Sequence, residues 1–356
     1  YILNDTWNNV SSGTLDVTYR VRPYINGGCS GDEEDITITI NPEPVLSNLD
    51  KSVCSDSPSG ITLSASNITA DRFEIDAIRV DAGLTPGGSN ASTGADQAAN
   101  AIFNDSFTNV SGGLLTVEYD IIPKVNATGC VGDLVTVILT VGAEPVLDPN
   151  LDKFICSDTP IALTLKEEAG SIIPTHYNII SVTVDPDLTA AGGNAVLPEA
   201  NATANFIEND EYTNTSGSVQ DVVYRVQPVF GADCFGDPVD VTVTVRPEPV
   251  IQPFQTKTVC SGVPVNMEIL LVPLNTPSGT VFNWDAPAMS DLTIQGTAGV
   301  AVAADPAGSF QITDILSNFT GSDITATYTV TPVSEDGCEG EPVDVVITIN
   351  SQPTTS

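Results

Sequence analysis

One composite motif recurs four times in this chain of 356 residues: Tyr-x-[Val/Ile]-x-Pro, then Cys-x-Gly-[Asp/Glu], then an alternating valine-rich run. The copies begin at Tyr19, Tyr119, Tyr224 and Tyr328, and their cysteines are Cys29, Cys130, Cys234 and Cys338. A period of about a hundred residues means one small domain repeated in tandem, each unit long enough to bury its own core. The expected divisions are 1–42, the C-terminal part of a repeat; 43–143, 144–247 and 248–350, three whole repeats; and 351–356, the start of a linker to the next. The chain opens in the back half of a repeat with no start Met or leader segment, so the expectation is an internal piece of a longer protein.

Composition narrows the partners. Lys and Arg number 11 against 46 Asp and Glu, a net charge of −35. Nucleic acid needs a cationic face and is excluded as a natural partner, and an anionic membrane surface repels such a chain. No apolar run is long enough to span a bilayer, so no membrane insertion of this segment is expected. Surplus acid keeps a long string soluble and leaves divalent cations as the small partners to consider.

Each repeat reads as strands and turns. Pro42-Glu43-Pro44-Val45 reappears as Ala143-Glu144-Pro145-Val146 and Pro247-Glu248-Pro249-Val250, and Ser351-Gln352-Pro353 opens a further copy. Proline fixes φ and extends the residue before it, which makes these joints short and stiff. A strand ending in Val53-Cys54-Ser55, Ile155-Cys156-Ser157 or Val259-Cys260-Ser261 follows each joint. An aromatic strand comes next, with Phe73/Ile75, Tyr177/Ile179 and Phe282/Trp284, then a Gly- and Ala-rich stretch of loops and short strands. The tyrosine strand, a hairpin at Cys-x-Gly and a closing strand such as Val239, Val241, Val243 and Val245 complete the unit. That period-2 alternation without helical periodicity predicts an all-β fold of tandem Ig-like sandwiches in an extended array.

Two disulfide schemes respect the repeat. Bonds within repeats join Cys54 to Cys130, Cys156 to Cys234 and Cys260 to Cys338, leaving Cys29 unpaired in this fragment. Bonds across the joints join Cys29 to Cys54, Cys130 to Cys156 and Cys234 to Cys260, leaving Cys338. The closing strand carries the chain roughly 30 Å beyond its cysteine at about 3.3 Å per residue, which disfavours the second scheme. In an Ig-like sandwich the first strand runs parallel to the last and its cysteine sits beside the hairpin, so bonding within repeats is the expectation. Each closed loop would stabilise a repeat by about 4–5 kcal/mol and implies an oxidising, extracytoplasmic compartment.

The Val-Cys-Ser opening, the aromatic strand, Asn-x-[Ser/Thr], Tyr-x-Val-x-Pro, Gly-Cys-x-Gly and Val-Thr-Val-x-Pro-x-Pro together resemble the PKD-like repeats of giant Bacteroidota surface proteins. These include the SprB-type adhesins of gliding motility, exported by type IX secretion. The resemblance implies a non-catalytic stalk or adhesin segment, extracellular and at the cell surface. Its partners would be other repeats of the same chain, with surface polysaccharide or other surface proteins beyond them.

Candidate sites are weighed on that background. The one histidine, His176, precedes a strand with no nucleophile in view, and the cysteines come singly, so neither catalysis nor zinc is indicated. Trp7 aligns with Phe107, Tyr212 and Leu316, and Trp284 with Ile75 and Ile179; both read as core rather than sugar platforms. Asn9, Asn109, Asn214 and Asn318 open Asn-x-[Ser/Thr] and read as structural turn residues rather than glycan acceptors. Asp5, Asp105, Asp210 and Asp314 recur just upstream and are expected to cap the same loop. Lys51, Lys153 and Lys257 stand three residues before a cysteine and suggest ion pairs near the joint; an intramolecular Lys–Asn crosslink is the less favoured reading. No cofactor is required. Ca²⁺ is the one candidate metal: bonding within repeats would bring Asp56 to Asp133 and Asp158 to Asp237, although no Asp-x-Asp-x-Asp loop is present. The reading is a structural and adhesive stalk, and its alternative an accessory module, carbohydrate- or Ca²⁺-binding, of a secreted polysaccharide-degrading enzyme.

Overall fold

The computed structural model describes residues 2–273, 275–284, 292–295, 302–303 and 309–352. Pro353 and the rest of the expected linker start lie outside these residues, as does most of the middle stretch of the last repeat. Among the described residues every regular element is a strand apart from one 3₁₀ turn at Ile2–Asn4. The chain forms two compact units. One holds Tyr1–Leu147, Glu167–Thr175 and Pro228–Asp237; the other holds Asp148–Lys166, His176–Gln227 and Pro238–Ser356.

In the first unit a sheet runs in the order Lys51–Cys54, Val135–Gly142, Leu115–Val125, Arg72–Val80, Gly94–Gln97, with Cys130–Val131 folded back onto Leu115–Val125. A small second sheet, Leu84–Pro86 with Phe107–Asn109, closes the sandwich. Alternation builds the core. Val117, Tyr119 and Ile121 on one strand and Val137, Leu139 and Val141 on the next all point inward and are buried, together with Phe73 and Ile75. Each such side chain contributes about 1.5–3 kcal/mol of burial. The opening strand joins this sheet parallel to the closing strand, with Lys51 opposite Leu139 and Cys54 opposite Gly142. Ahead of it, Leu15–Val21 and Glu34–Ile40 pair as a two-stranded ribbon whose equivalent core positions stay open; Trp7 is 53% exposed.

The second unit repeats the plan. One sheet runs Lys153–Cys156, Val239–Arg246, Gln220–Phe230, His176–Val184, Glu199–Ala202. The other runs Thr256–Cys260, Val343–Asn350, Ile324–Val333, Val281–Trp284, Val302–Ala303. The opening strands again run parallel to the closing strands, with Cys156 opposite Arg246 and Cys260 opposite Asn350. The hairpin of the first of these sheets, residues 228–237, belongs to the first unit.

The disulfides depart from the expected pairing. Cys54 is bonded to Cys234 and Cys156 to Cys338, with Cα atoms 5.3 and 5.5 Å apart, while Cys29, Cys130 and Cys260 are free. Neither scheme from the sequence holds: Cys54 does not meet Cys130, Cys156 does not meet Cys234, and Cys260 does not meet Cys338. Parallel register is the cause. Each opening cysteine ends its strand, so it lies beside the far end of the closing strand. The hairpin cysteine of the same repeat lies before that strand begins, where Cys130 pairs with Val125. The eight residues Val135–Gly142 hold the two poles roughly 25 Å apart at about 3.3 Å per residue, far beyond disulfide reach. The opening cysteine of one repeat instead meets the hairpin cysteine of the next.

Candidate functional site

A buried Tyr–Asp pair recurs in each whole repeat. The tyrosine hydroxyls of Tyr119, Tyr224 and Tyr328 donate to Asp105, Asp210 and Asp314 at 2.8, 2.8 and 3.0 Å, all deep in the core. Burial pushes the Asp105 carboxyl up, against the donors Ala91 N–H and Tyr119. These aspartates therefore anchor the tyrosine strand from within the core. The partly exposed ribbon keeps the same bond, Tyr19 to Asp5 at 2.7 Å, and Trp7 donates to the Tyr19 hydroxyl at 3.0 Å.

The recurrent asparagines are fully engaged. Asn109 donates from Nδ2 to the carbonyls of Gly113 and Val141 at 3.0 and 2.8 Å, and accepts at Oδ1 from Ser111 N–H and Oγ. Asn9, Asn214 and Asn318 make the same four bonds. Their amide nitrogens have no donor left over and are buried, which a glycan acceptor is not. The asparagine N–H groups in turn bond the serine after each opening cysteine: Asn109 to Ser55, Asn214 to Ser157, Asn318 to Ser261, at 2.8–2.9 Å. This locks the Asn turn to the Val-Cys-Ser strand. The joint then docks on the turn, with Glu144 N–H on the Asn109 carbonyl at 2.9 Å.

The glycine of Cys-x-Gly is set by a close approach. A Cβ on Gly132, Gly236 or Gly340 would lie 1.9, 1.9 or 1.8 Å from the carbonyl oxygen of Pro44, Pro145 or Pro249. Each hairpin therefore presses on the joint that leads into its own repeat, and only glycine fits. The joint also follows directly from the closing strand whose end carries the opening cysteine of the preceding repeat. Two cysteines a repeat apart are thereby brought to one spot. Around Cys54–Cys234 the wall is an apolar cavity of about 610 Å³ that includes Leu114, Ile172 and Phe230. At the second bond Arg246 lies over Phe154 and 3.7 Å from Asp336 of the next hairpin.

Acidic residues collect beside both bonds. The buried Glu144 is pushed up to about 7, first by burial, then by the neighbouring Asp56 and by Asp237. Glu248 is likewise raised to about 7 by burial and by Asp158 and Glu341. The expected metal pairs thus shift by one repeat. Asp56 shares its surroundings with Asp237 rather than Asp133, and Asp158 with Glu341 rather than Asp237. Asp56 and Asp158, both at positive φ, also accept the hydroxyls of Thr108 and Thr213. Among the described residues no group of three or more His, Cys, Asp or Glu side chains is placed to hold a metal ion.

The lysines do something the sequence did not suggest. Lys153 Nζ and Lys257 Nζ donate at 2.5 Å to the carbonyls of Ala162 and Asn266, two positive-φ residues, rather than to carboxylates. At the matching place in the 43–143 repeat a Cβ on Gly60, also at positive φ, would lie 2.6 Å from Lys51 Nζ. They pin a left-handed turn after the opening strand, and the Lys257 contact is to backbone, not to an asparagine amide. Trp284 is buried against Phe310, ring centroids 4.4 Å apart. His176 is half-buried at the head of its strand.

A family model for the PKD-like domain matches residues 1–44, 85–145, 153–249 and 257–353. The chain belongs to the PKD-like domain family. No curated protein matches it. Solved structures similar to it include mouse cadherin-23 EC22–24, 11% identical over 88% of this chain and 99% of that one, with a TM-score of 0.27. Human CDH23 EC21–23 is 12% identical over 84% and 100%, TM-score 0.28, and chicken CNTN1 FN1–FN3 is 10% identical over 87% and 99%, TM-score 0.25. Likeness this distant carries no argument about function.

Proposed function

We propose that this chain is a load-bearing, non-catalytic segment of a secreted or cell-surface protein, built from PKD-like repeats at 43–143, 144–247 and 248–350 and clamped to one another by disulfides. The observation that carries this reading is the interleaving of Cys54–Cys234 with Cys156–Cys338. Tension entering at Cys54 crosses to Cys234, runs back to Cys156 and crosses again to Cys338. Only about 80 residues of chain then stand between the outer cysteines instead of about 280. Fully extended that is roughly 280 Å against roughly 1000 Å at ~3.3–3.6 Å per residue. The bonds also assign the segment to an oxidising compartment outside the cytoplasm. Among the described residues no helix is long and apolar enough to cross a membrane.

The finer reading is a surface adhesin of the SprB type, exported by type IX secretion and acting in adhesion or gliding. Its support is the resemblance of the repeats, and its partners on that reading are surface polysaccharide or other surface proteins. Single-molecule pulling from the two termini tests the mechanical role. Reductant is expected to lengthen the extended chain by roughly 700 Å; an oxidised chain that already reaches its reduced length contradicts it. Antibody labelling of intact cells tests the surface placement, and an epitope reached only after lysis would sink it.

A further inference from the structure

We propose that Cys260 and Cys130 are the open halves of the same bond, ports that each take one more PKD-like repeat: Cys260 through that repeat's hairpin cysteine, Cys130 through its opening-strand cysteine. This goes beyond the mechanical role and rests on the bond pattern, not on the adhesive reading. Two local frames carry it. Cys260 ends its strand opposite Asn350, as Cys54 ends opposite Gly142 and Cys156 opposite Arg246. The following N–H closes on the end of the closing strand in all three: Ser55 on Gly142, Ser157 on Arg246, Ser261 on Asn350, at 2.9–3.3 Å. Two of these three cysteines are bonded to a hairpin one repeat on; the third is exposed.

The hairpin side matches. Cys130 pairs with Val125 as Cys234 pairs with Phe230. Gly132 sits against the Pro44 carbonyl as Gly236 sits against that of Pro145, and its N–H bonds Pro123 as that of Gly236 bonds Pro228, both at 2.9 Å. The hairpin of the 43–143 repeat is thus already seated on its joint in the bonded geometry. The bonds span 180 and 182 residues, so no cysteine of this sequence stands at the required distance before Cys130 or after Cys260. Cys29 occupies the hairpin position of the ribbon, beside the Tyr24–Ser30 bridge, and is exposed.

The bond needs a disulfide oxidant, for which oxidised glutathione serves. One port thiolate attacks it and expels a glutathione thiolate, leaving a mixed disulfide; the partner thiolate then displaces the second glutathione. Two thiols lose two protons and two electrons in all, and one oxidised glutathione becomes two reduced ones.

The test is alkylation with iodoacetamide after oxidative refolding, read by peptide mass mapping. In the unextended chain Cys29, Cys130 and Cys260 are labelled and the other four are not. In a chain carrying after Ser351 a copy of residues 248–356 whose cysteine peptides are distinguished in mass by Thr258→Ser and Glu339→Asp, Cys260 labelling falls at least tenfold and its peptide is joined to the copy's hairpin cysteine. In a chain with a copy of 43–143 inserted after Pro42, its cysteine peptides distinguished in mass by Ser52→Thr and Thr128→Ser, Cys130 becomes protected and joined to the copy's opening cysteine. The bonds Cys54–Cys234 and Cys156–Cys338 report folding in every arm. A port cysteine that stays labelled beside those two bonds overturns the proposal, and so does Cys260 joined to Cys338. Absence of the two bonds from the unextended chain overturns the pairing rule itself, whatever the pulling experiment shows.

Discussion

Asn214 spends both amide donors and its acceptor on the turn that holds the joint, inside a repeat with little room for water. Asn214→Ala strands the Val245 carbonyl in the core and is expected to destabilise the protein by about 2–4 kcal/mol in chemical denaturation. Tyr224→Phe removes a donor from the buried Asp210 and is expected to cost about 1–2 kcal/mol in the same measurement. Glycine offers a contrast within one chain. Gly236→Ala drives a Cβ into the Pro145 carbonyl, whereas Gly31→Ala meets the ring of Pro23 and no joint carbonyl. Thiol titration after oxidative refolding should find Cys54 and Cys234 largely unbonded in the first variant and bonded in the second. The recurrence of Asn9, Asn109, Asn214 and Asn318 before a glycine or serine turn was plain in the sequence. The carboxylate partner of each tyrosine hydroxyl was not, because a spacing of 14 residues across a loop has no periodic signature.

At the scale of the element, the joints respond to pH. Glu144 and Glu248 are raised from the ordinary Glu range near 4.5 to about 7, so the folded junction favours their protonated forms. Their stabilising contribution is complete below about 4.5 and is lost as pH rises through 7. Replacing both with Gln, which keeps a neutral hydrogen-bonding side chain, is expected to raise Tm at pH 8 and change it little at pH 4.5; equal shifts at both pH values would refute the assignment. The strands themselves were legible: Val239, Val241, Val243 and Val245 alternate, and all but the first point into the core. The cysteine pairing was not. A scheme still respects the repeat when one partner of every bond moves along by a whole repeat, and counting favours whichever scheme leaves the fewest thiols over. What decides the matter is that the opening strand ends beside Gly142 rather than beside Cys130, a parallel register that side-chain alternation does not encode.

For the whole molecule, a net charge of −35 opposes close packing of neighbouring repeats, and the junctions answer with covalent bonds, joined at the second by the Arg246–Asp336 ion pair. Each closes a loop of 180 or 182 residues, worth about 5 kcal/mol in the chain-entropy view. Reduction should therefore lower the unfolding midpoint and loosen the hairpin of 228–237 from the strand end at Cys54, seen as faster amide exchange at that hairpin. The sharpest test cuts the backbone at both joints, through protease sites placed after residues 143 and 247, and runs the product on a denaturing gel without reductant. Bonds between successive repeats predict a single covalent species of full mass that separates into three pieces only when reductant is added. Three pieces without reductant would mean that each repeat closes on itself, and would contradict the account.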